Sequence, residues 1–94
     1  GTHVAGSALG DGAASGGAIR GTAPRARLFL QSLLDKNSGL GGLPFRLNTL
    51  FADAYNNGAR IHNNSWGAAS AAAYRANSRE VDEYAHTQKD MLIV

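Results

Sequence analysis

The sequence predicts an α/β fold with a parallel sheet, on three observations. Short strand-length runs stand at 26–33, 59–63 and 91–94, the first and last of them apolar, helix-length segments separate them, and glycine-rich stretches mark several of the transitions. Strands spaced in this way read as βαβαβ, because parallel neighbours must be joined by a crossover long enough to hold a helix, and such crossovers are right-handed.

From Thr2 to Leu9, Val4, Ala5, Ala8 and Leu9 sit among small residues and predict one short helix that stops at Gly10. The stretch 11–17 reads as a surface loop. Pro24 drives Ala23 toward extended backbone. Leu28, Phe29, Leu30, Leu33 and Leu34 then give the continuous apolar run of a strand covered on both faces, so 26–33 is expected to be a central strand. After a second glycine-rich loop at 37–42, Pro44 suits the first turn of a helix. Leu47, Leu50, Phe51 and Ala54 follow at i, i+3, i+4 and i+7, and the helix should end at Gly58, just past Asn57. The run 59–63 is the second expected strand, and 67–73 is small and weakly patterned. Asn77 with Glu80 three residues on resembles a capping box opening a helix whose inner stripe is Val81, Tyr84 and Ala85. Met91 to Val94 is the third expected strand. A buried parallel strand rarely borders a domain with a free apolar edge, so residues 1–94 are expected to be the central part of a larger domain.

Composition supports that expectation. Of the 94 residues 44% are hydrophobic, but 17 are Ala, and Leu, Ile, Val and Phe together number 19. That is thin packing for a free-standing core. Nine basic against seven acidic residues give +2, and the basic ones are scattered from Arg20 to Lys89, which does not support a nucleic-acid footprint. No apolar run approaches the ~20 residues that span a bilayer. The absence of Cys removes disulfides, thiol catalysis and zinc-thiolate sites, and leaves the compartment open.

Parallel sheets present ligands at the carboxyl ends of their strands, which here lead into Gly39–Gly42 and Ser65–Gly67. A glycine-rich segment admits a close backbone and can pair with an extended peptide, although a plain connecting loop has the same composition. A nucleotide cradle is not supported: no Gly-x-x-x-x-Gly-Lys-Ser/Thr occurs, and Gly10-x-Gly12 lacks a preceding strand and the third Gly. Ser65, in Asn63-Asn64-Ser65-Trp66-Gly67, does not sit in a Gly-x-Ser-x-Gly elbow and reads as a hydroxyl serving the backbone at a strand end rather than as a nucleophile. The same triplet matches a glycosylation acceptor, poorly placed at a sheet terminus. His3, His62 and His86 have no partner at helical spacing that suggests a metal; His3 is expected to be buried and hydrogen-bonded, and His86 a solvated residue near a helix end.

Five segments in order carry a family resemblance. Gly1-Thr2-His3-Val4-Ala5-Gly6 resembles the tail of the His-Gly-Thr-His-Val-Ala-Gly signature of subtilisin-like serine proteases, and Gly21-Thr22-Ala23-Pro24-Arg25-Ala26 resembles their Gly-x-Ala-Pro-x-Ala segment. Gly39-Leu40-Gly41-Gly42, Gly58 to Gly67 and Met91-Leu92-Ile93-Val94 follow in register, and together they cover essentially the whole chain. Trp66 and the long loop after Gly10 look most like the alkaline-protease branch.

The resemblance implies the three-layer fold of those enzymes, a polypeptide substrate and secretion; the charge distribution and the lack of a long apolar run lead to the expectation of neither nucleic acid nor membrane as a partner. It also implies that the catalytic His falls immediately before Gly1, the catalytic Asp further upstream, and the oxyanion-hole Asn and nucleophilic Ser after Val94. The chain alone is then inactive and works with the remainder of the protease domain. Gly39, Leu40, Gly41 and Gly42 resemble the edge that pairs with the substrate backbone. Ser65, Trp66 and Gly67 resemble the lining of the pocket for the residue before the scissile bond. Calcium is implied for complete relatives, but Asp11 is the lone carboxylate of the loop in question, and no metal site or cofactor is assigned to the chain. The other reading of the sequence is a small non-catalytic α/β binding module.

Overall fold

The computed structural model describes residues 1–67 and 75–94, so the weakly patterned segment 67–73 lies, past Gly67, outside the described residues. Two units form, Gly1–Leu30 and Gln31–Val94.

In the first unit, helix α1 spans Thr2–Leu9 as its small-residue pattern predicts, and the Gly10 N–H closes it on Gly6 O at 2.8 Å. A single 3-10 turn, Ala13–Ser15, follows in the glycine-rich loop. The Asp11 carboxylate accepts from Ala13 N–H at 2.9 Å, and Ser15 Oγ accepts from Ile19 N–H at 2.8 Å. The chain then returns across the end of α1: the N–H groups of Gly21, Thr22 and Ala23 donate to Gly10, Ser7 and Ala8 carbonyls at 2.7–3.2 Å. Gly21 is required for that approach, since a Cβ there would stand 2.6 Å from the Leu9 and Gly10 nitrogens. His3, expected to be buried, is exposed, because α1 buries no residue on any face.

The second unit contains helix α2 (Leu47–Asn56), strand β1 (Ile61–His62), helix α3 (Ala76–Thr87) and strand β2 (Leu92–Ile93). The expected stripe of α2 is its buried face: Leu47, Leu50, Phe51 and Ala54 are all in the core, with Phe51 1% exposed. Burying each large side chain contributes about 2–3 kcal/mol. The helix ends as Gly58 predicts, in a left-handed residue (φ 93°) with Gly58 N–H bonded to Tyr55 O and Ala59 N–H to Ala54 O, both at 3.0 Å.

The start of α2 differs from expectation. It opens at Leu47 rather than near Pro44, because the Leu47 N–H finds its acceptor on α3, in the Glu80 carboxylate at 2.7 Å. That contact also replaces the capping box expected at Asn77. Arg75 is the N-cap of α3 without a side-chain cap bond, and Glu80 serves the positive end of its neighbour, with Arg46 Nε 3.6 Å away. Val81, Tyr84 and Ala85 are half-buried, and α2 and α3 pack together.

Two of the three expected strands form. β1 and β2 pair in parallel with Ile61 opposite Leu92 and His62 opposite Ile93, and α3 lies between them in sequence, so this part is a βαβ unit. Both strands are two residues long, shorter than the runs 59–63 and 91–94. The run 26–33 is not a strand: it carries no ladder bonds, it crosses the boundary between the two units, and Leu28, Phe29 and Leu30 are exposed. An apolar run becomes a strand only where a neighbour accepts and donates along it, and none does so among the described residues. The second unit is therefore mixed helix and strand with a two-stranded parallel sheet. One face of that sheet, with Ile61 and Leu92, is exposed; the other packs on Phe51 through His62.

Candidate functional site

β1 leads into Asn63–Gly67, and here polar contacts tie the two strand ends together. The backbone N–H and Nδ2 of Asn64 both donate to Val94 O, at 2.7 and 3.2 Å, so one residue ties the end of β1 to the end of β2. Trp66, half-buried, borders an open cleft of about 250 Å³ together with Leu47, Phe51, Val81 and Val94, and with Asn64, Asn77 and Ser78 at its polar margin. The cleft is apolar because the buried stripe of α2 and the inner stripe of α3 converge on it at the strand end.

Ser65 and Gly67 are exposed and do not line this cleft. Ser65 Oγ accepts from Asn63 Nδ2 at 2.7 Å. An amide donor cannot take the hydroxyl proton, so among the described residues the geometry gives Ser65 no general base.

The loop before α2 is built around Asp35. Its carboxylate accepts from the N–H groups of Asn37 (2.8 Å) and Gly39 (2.9 Å), its own N–H donates to Gly39 O (2.9 Å), and Ser38 adopts φ 62° within the turn. Gly39, Leu40, Gly41 and Gly42 are exposed, and Gly41 makes no backbone–backbone bond within the described residues. Gly42 is different. Its N–H closes the loop on Leu33 O at 3.0 Å, and a Cβ there would lie 2.8 Å from Leu33 O and 2.9 Å from Leu33 C, so glycine at this position is required by the loop itself. None of the four lines the Trp66 cleft.

Behind the cleft wall lies a buried polar group that sequence reasoning did not connect. His62 is 9% exposed and meets Phe51 edge-on at 5.0 Å. Its Nε2 is 2.9 Å from Gln31 Oε1, while Gln31 Nε2 donates to Leu50 O and Asp53 Oδ2, both at 3.0 Å. Because the Gln31 amide nitrogen is spent on two acceptors, its oxygen faces the imidazole and Nε2 carries the hydrogen. Burial pushes the His62 pKa below 6.5, against the opposing pull of the Asn64 side chain. The signal for this group was an isolated Gln at the end of an apolar run and a His at an inward strand position, 31 residues apart.

As for metals, Asp11 is engaged by Ala13 N–H, and among the described residues no three His, Cys, Asp or Glu side chains converge.

The sequence profile of the subtilase family matches residues 1–94. A curated relative, the serine protease/ABC transporter B family protein tagD of Dictyostelium discoideum, is 30% identical over 102 residues; the match takes in the whole of this chain and 6% of that protein.

Proposed function

Because the chain belongs to the subtilase family, we propose that it contributes substrate-binding surface to a serine endopeptidase domain and does not itself carry the groups that cut the peptide bond. The observation that supports this reading is the Trp66 cleft at the carboxyl end of β1, an apolar recess with a polar margin where a parallel sheet receives ligands. An apolar side chain on the acyl side of the scissile bond packs against Trp66 and Val81. The extended substrate backbone runs along Gly39–Gly42, where Gly41 makes no backbone–backbone bond within the described residues. Attack, proton transfer and oxyanion stabilisation fall to residues outside this chain, as the resemblance of Gly1–Gly6 and Met91–Val94 to the family's segments implies. Gly42 holds the loop in shape and Ser65 holds the Asn63 amide, so neither is assigned a chemical step. Secretion and a calcium requirement of the complete protein belong to the resemblance alone.

The test replaces Trp66 by Ala in the intact protein that contains this chain. Selectivity between peptides with a large and a small apolar side chain at the position bound in the cleft should fall several-fold, because a contact worth about 1–3 kcal/mol per methylene-sized group is removed. Unchanged selectivity overturns the placement of substrate at Trp66. Labelling of the intact protein by a serine-directed fluorophosphonate separates an endopeptidase from a non-catalytic binding module.

A further inference from the structure

We propose that Asp35 is a positioning residue for the substrate-pairing edge: its carboxylate sets the backbone of Gly41, at which an extended peptide pairs. This rests on the reading of Gly39–Gly42 as that edge. Oδ1 accepts from the N–H groups of Asn37 at 2.8 Å and Gly39 at 2.9 Å, and hydrogen bonds to an ionised oxygen are the stronger kind. The Asp35 backbone takes part as well, its N–H donating to Gly39 O at 2.9 Å and its C=O accepting from Ser38 N–H at 3.1 Å. Ser38 keeps its φ of 62°, unusual for a residue with a side chain, because the bonds on either side of it fix the turn.

The carboxylate meets the edge from inside the loop. With Oδ1 engaged by two N–H groups, Oδ2 lies against Gly41: a Cβ there would overlap Oδ2 and stand 3.0 Å from Asp35 Cβ and 3.1 Å from Cγ. Gly41 does not have a positive φ, so its own conformation does not call for glycine; the closeness of Asp35 does. The neighbours of Gly41 are committed within the loop. Gly39 N–H goes to Asp35, Gly42 N–H to Leu33 O at 3.0 Å, and Leu40 C=O accepts from Leu43 N–H at 3.2 Å. Strand pairing engages the N–H and C=O of every second residue, and among the four it falls on Gly41, which makes no backbone–backbone bond within the described residues. Displacing Asp35 therefore moves the residue that pairs, and leaves the bond-breaking groups outside this chain as they are.

The experiment uses the intact protein and two peptides with the same scissile bond, one long enough to run along the edge and one cut short of it. Asp35→Ala should raise KM for the long peptide about fivefold, the worth of one backbone hydrogen bond, with its kcat held and the short peptide unaffected. Asp35→Asn keeps an oxygen for the Asn37 and Gly39 N–H groups and should bring KM back to within about twofold of the parent; an Asn variant as impaired as Ala would overturn the geometric role. A purely structural role lowers the melting temperature of Asp35→Ala without separating the two peptides, and that result also overturns the proposal. Methylating the long peptide's backbone amides one at a time tests the underlying reading independently. If methylation at no position raises KM in the parent protein, the edge reading falls and the proposal with it. If methylation raises KM and Asp35→Ala does not, the edge stands and the positioning role is overturned. Should Asp35→Ala fail to fold, Asp35→Ser decides by the same comparison, since the shorter side chain keeps an acceptor for the turn but withdraws from Gly41. A KM raised for the long peptide alone supports the proposal, and an unchanged one overturns it.

Discussion

The sequence groups Gly42 with the glycines of a substrate-pairing edge, and the structure gives it a task within the loop itself. A Cβ at this position would approach Leu33 O to 2.8 Å, Leu33 C to 2.9 Å and Leu33 Cα to 3.2 Å. All three are backbone atoms, so no rotamer change relieves the overlap; the loop must open, and the Gly42 N–H to Leu33 O bond at 3.0 Å opens with it. Losing that bond costs about 0.5–1.5 kcal/mol, and forcing extra volume against a packed backbone about 1–3 kcal/mol. Gly42→Ala should therefore destabilise by about 2–4 kcal/mol. Gly67→Ala is the internal comparison: among the described residues nothing lies within 4 Å of a Cβ there and its φ is not positive, so its stability should change by less than about 0.5 kcal/mol. Chemical denaturation of both variants of the intact protein, with amide exchange of the Gly42 N–H, measures the difference. Equal stabilities for the two variants would refute the reasoning.

Three further outcomes follow from the same contacts. Glu80→Ala should cost about 1 kcal/mol through the lost cap on Leu47, whereas Glu80→Gln should keep most of it, because the Arg46 partner is largely exposed and such a pair contributes little; denaturant midpoints distinguish the two. Burial holds the folded-state pKa of His62 below 6.5, so the fold binds fewer protons there than the unfolded chain. The stability it contributes is complete above 6.5 and is lost as pH falls from there through the lowered value; His62→Phe should flatten the denaturation midpoint over that window, and an unchanged slope would count against it. Ser65→Ala in the intact protein should leave fluorophosphonate labelling unchanged by mass spectrometry, and a labelled peptide carrying Ser65 would overturn the view that its hydroxyl serves Asn63.

Helix patterns were legible because they are local. The spacing of Leu47, Leu50, Phe51 and Ala54 named the buried face of α2, and Gly58 named its end, since periodicity and a left-handed cap depend on neighbours within a turn or two. The family was legible as well, because five short segments in register outweigh any one of them. The candidate site was legible only in part: Trp66 does border a cleft, but Ser65 and Gly67 do not, and Gly42 answers to Leu33.

What the tertiary structure alone decided are the bonds between distant positions. The run 26–33 has the composition of a buried strand, yet a strand is a property of two chains side by side, and no ladder partner stands beside it among the described residues. Glu80 looked like the cap of its own helix and instead caps one that begins 33 residues earlier, because the free N–H of Leu47 and the positive end of α2 lie within its reach. His62 looked like an isolated histidine and joins Gln31, Leu50 and Asp53, a set that comes together only when α2 packs behind the strand end. Sequence determined which residues prefer a helix and which face turns inward; packing decided which polar groups meet, since a buried donor takes whichever acceptor the fold brings to it.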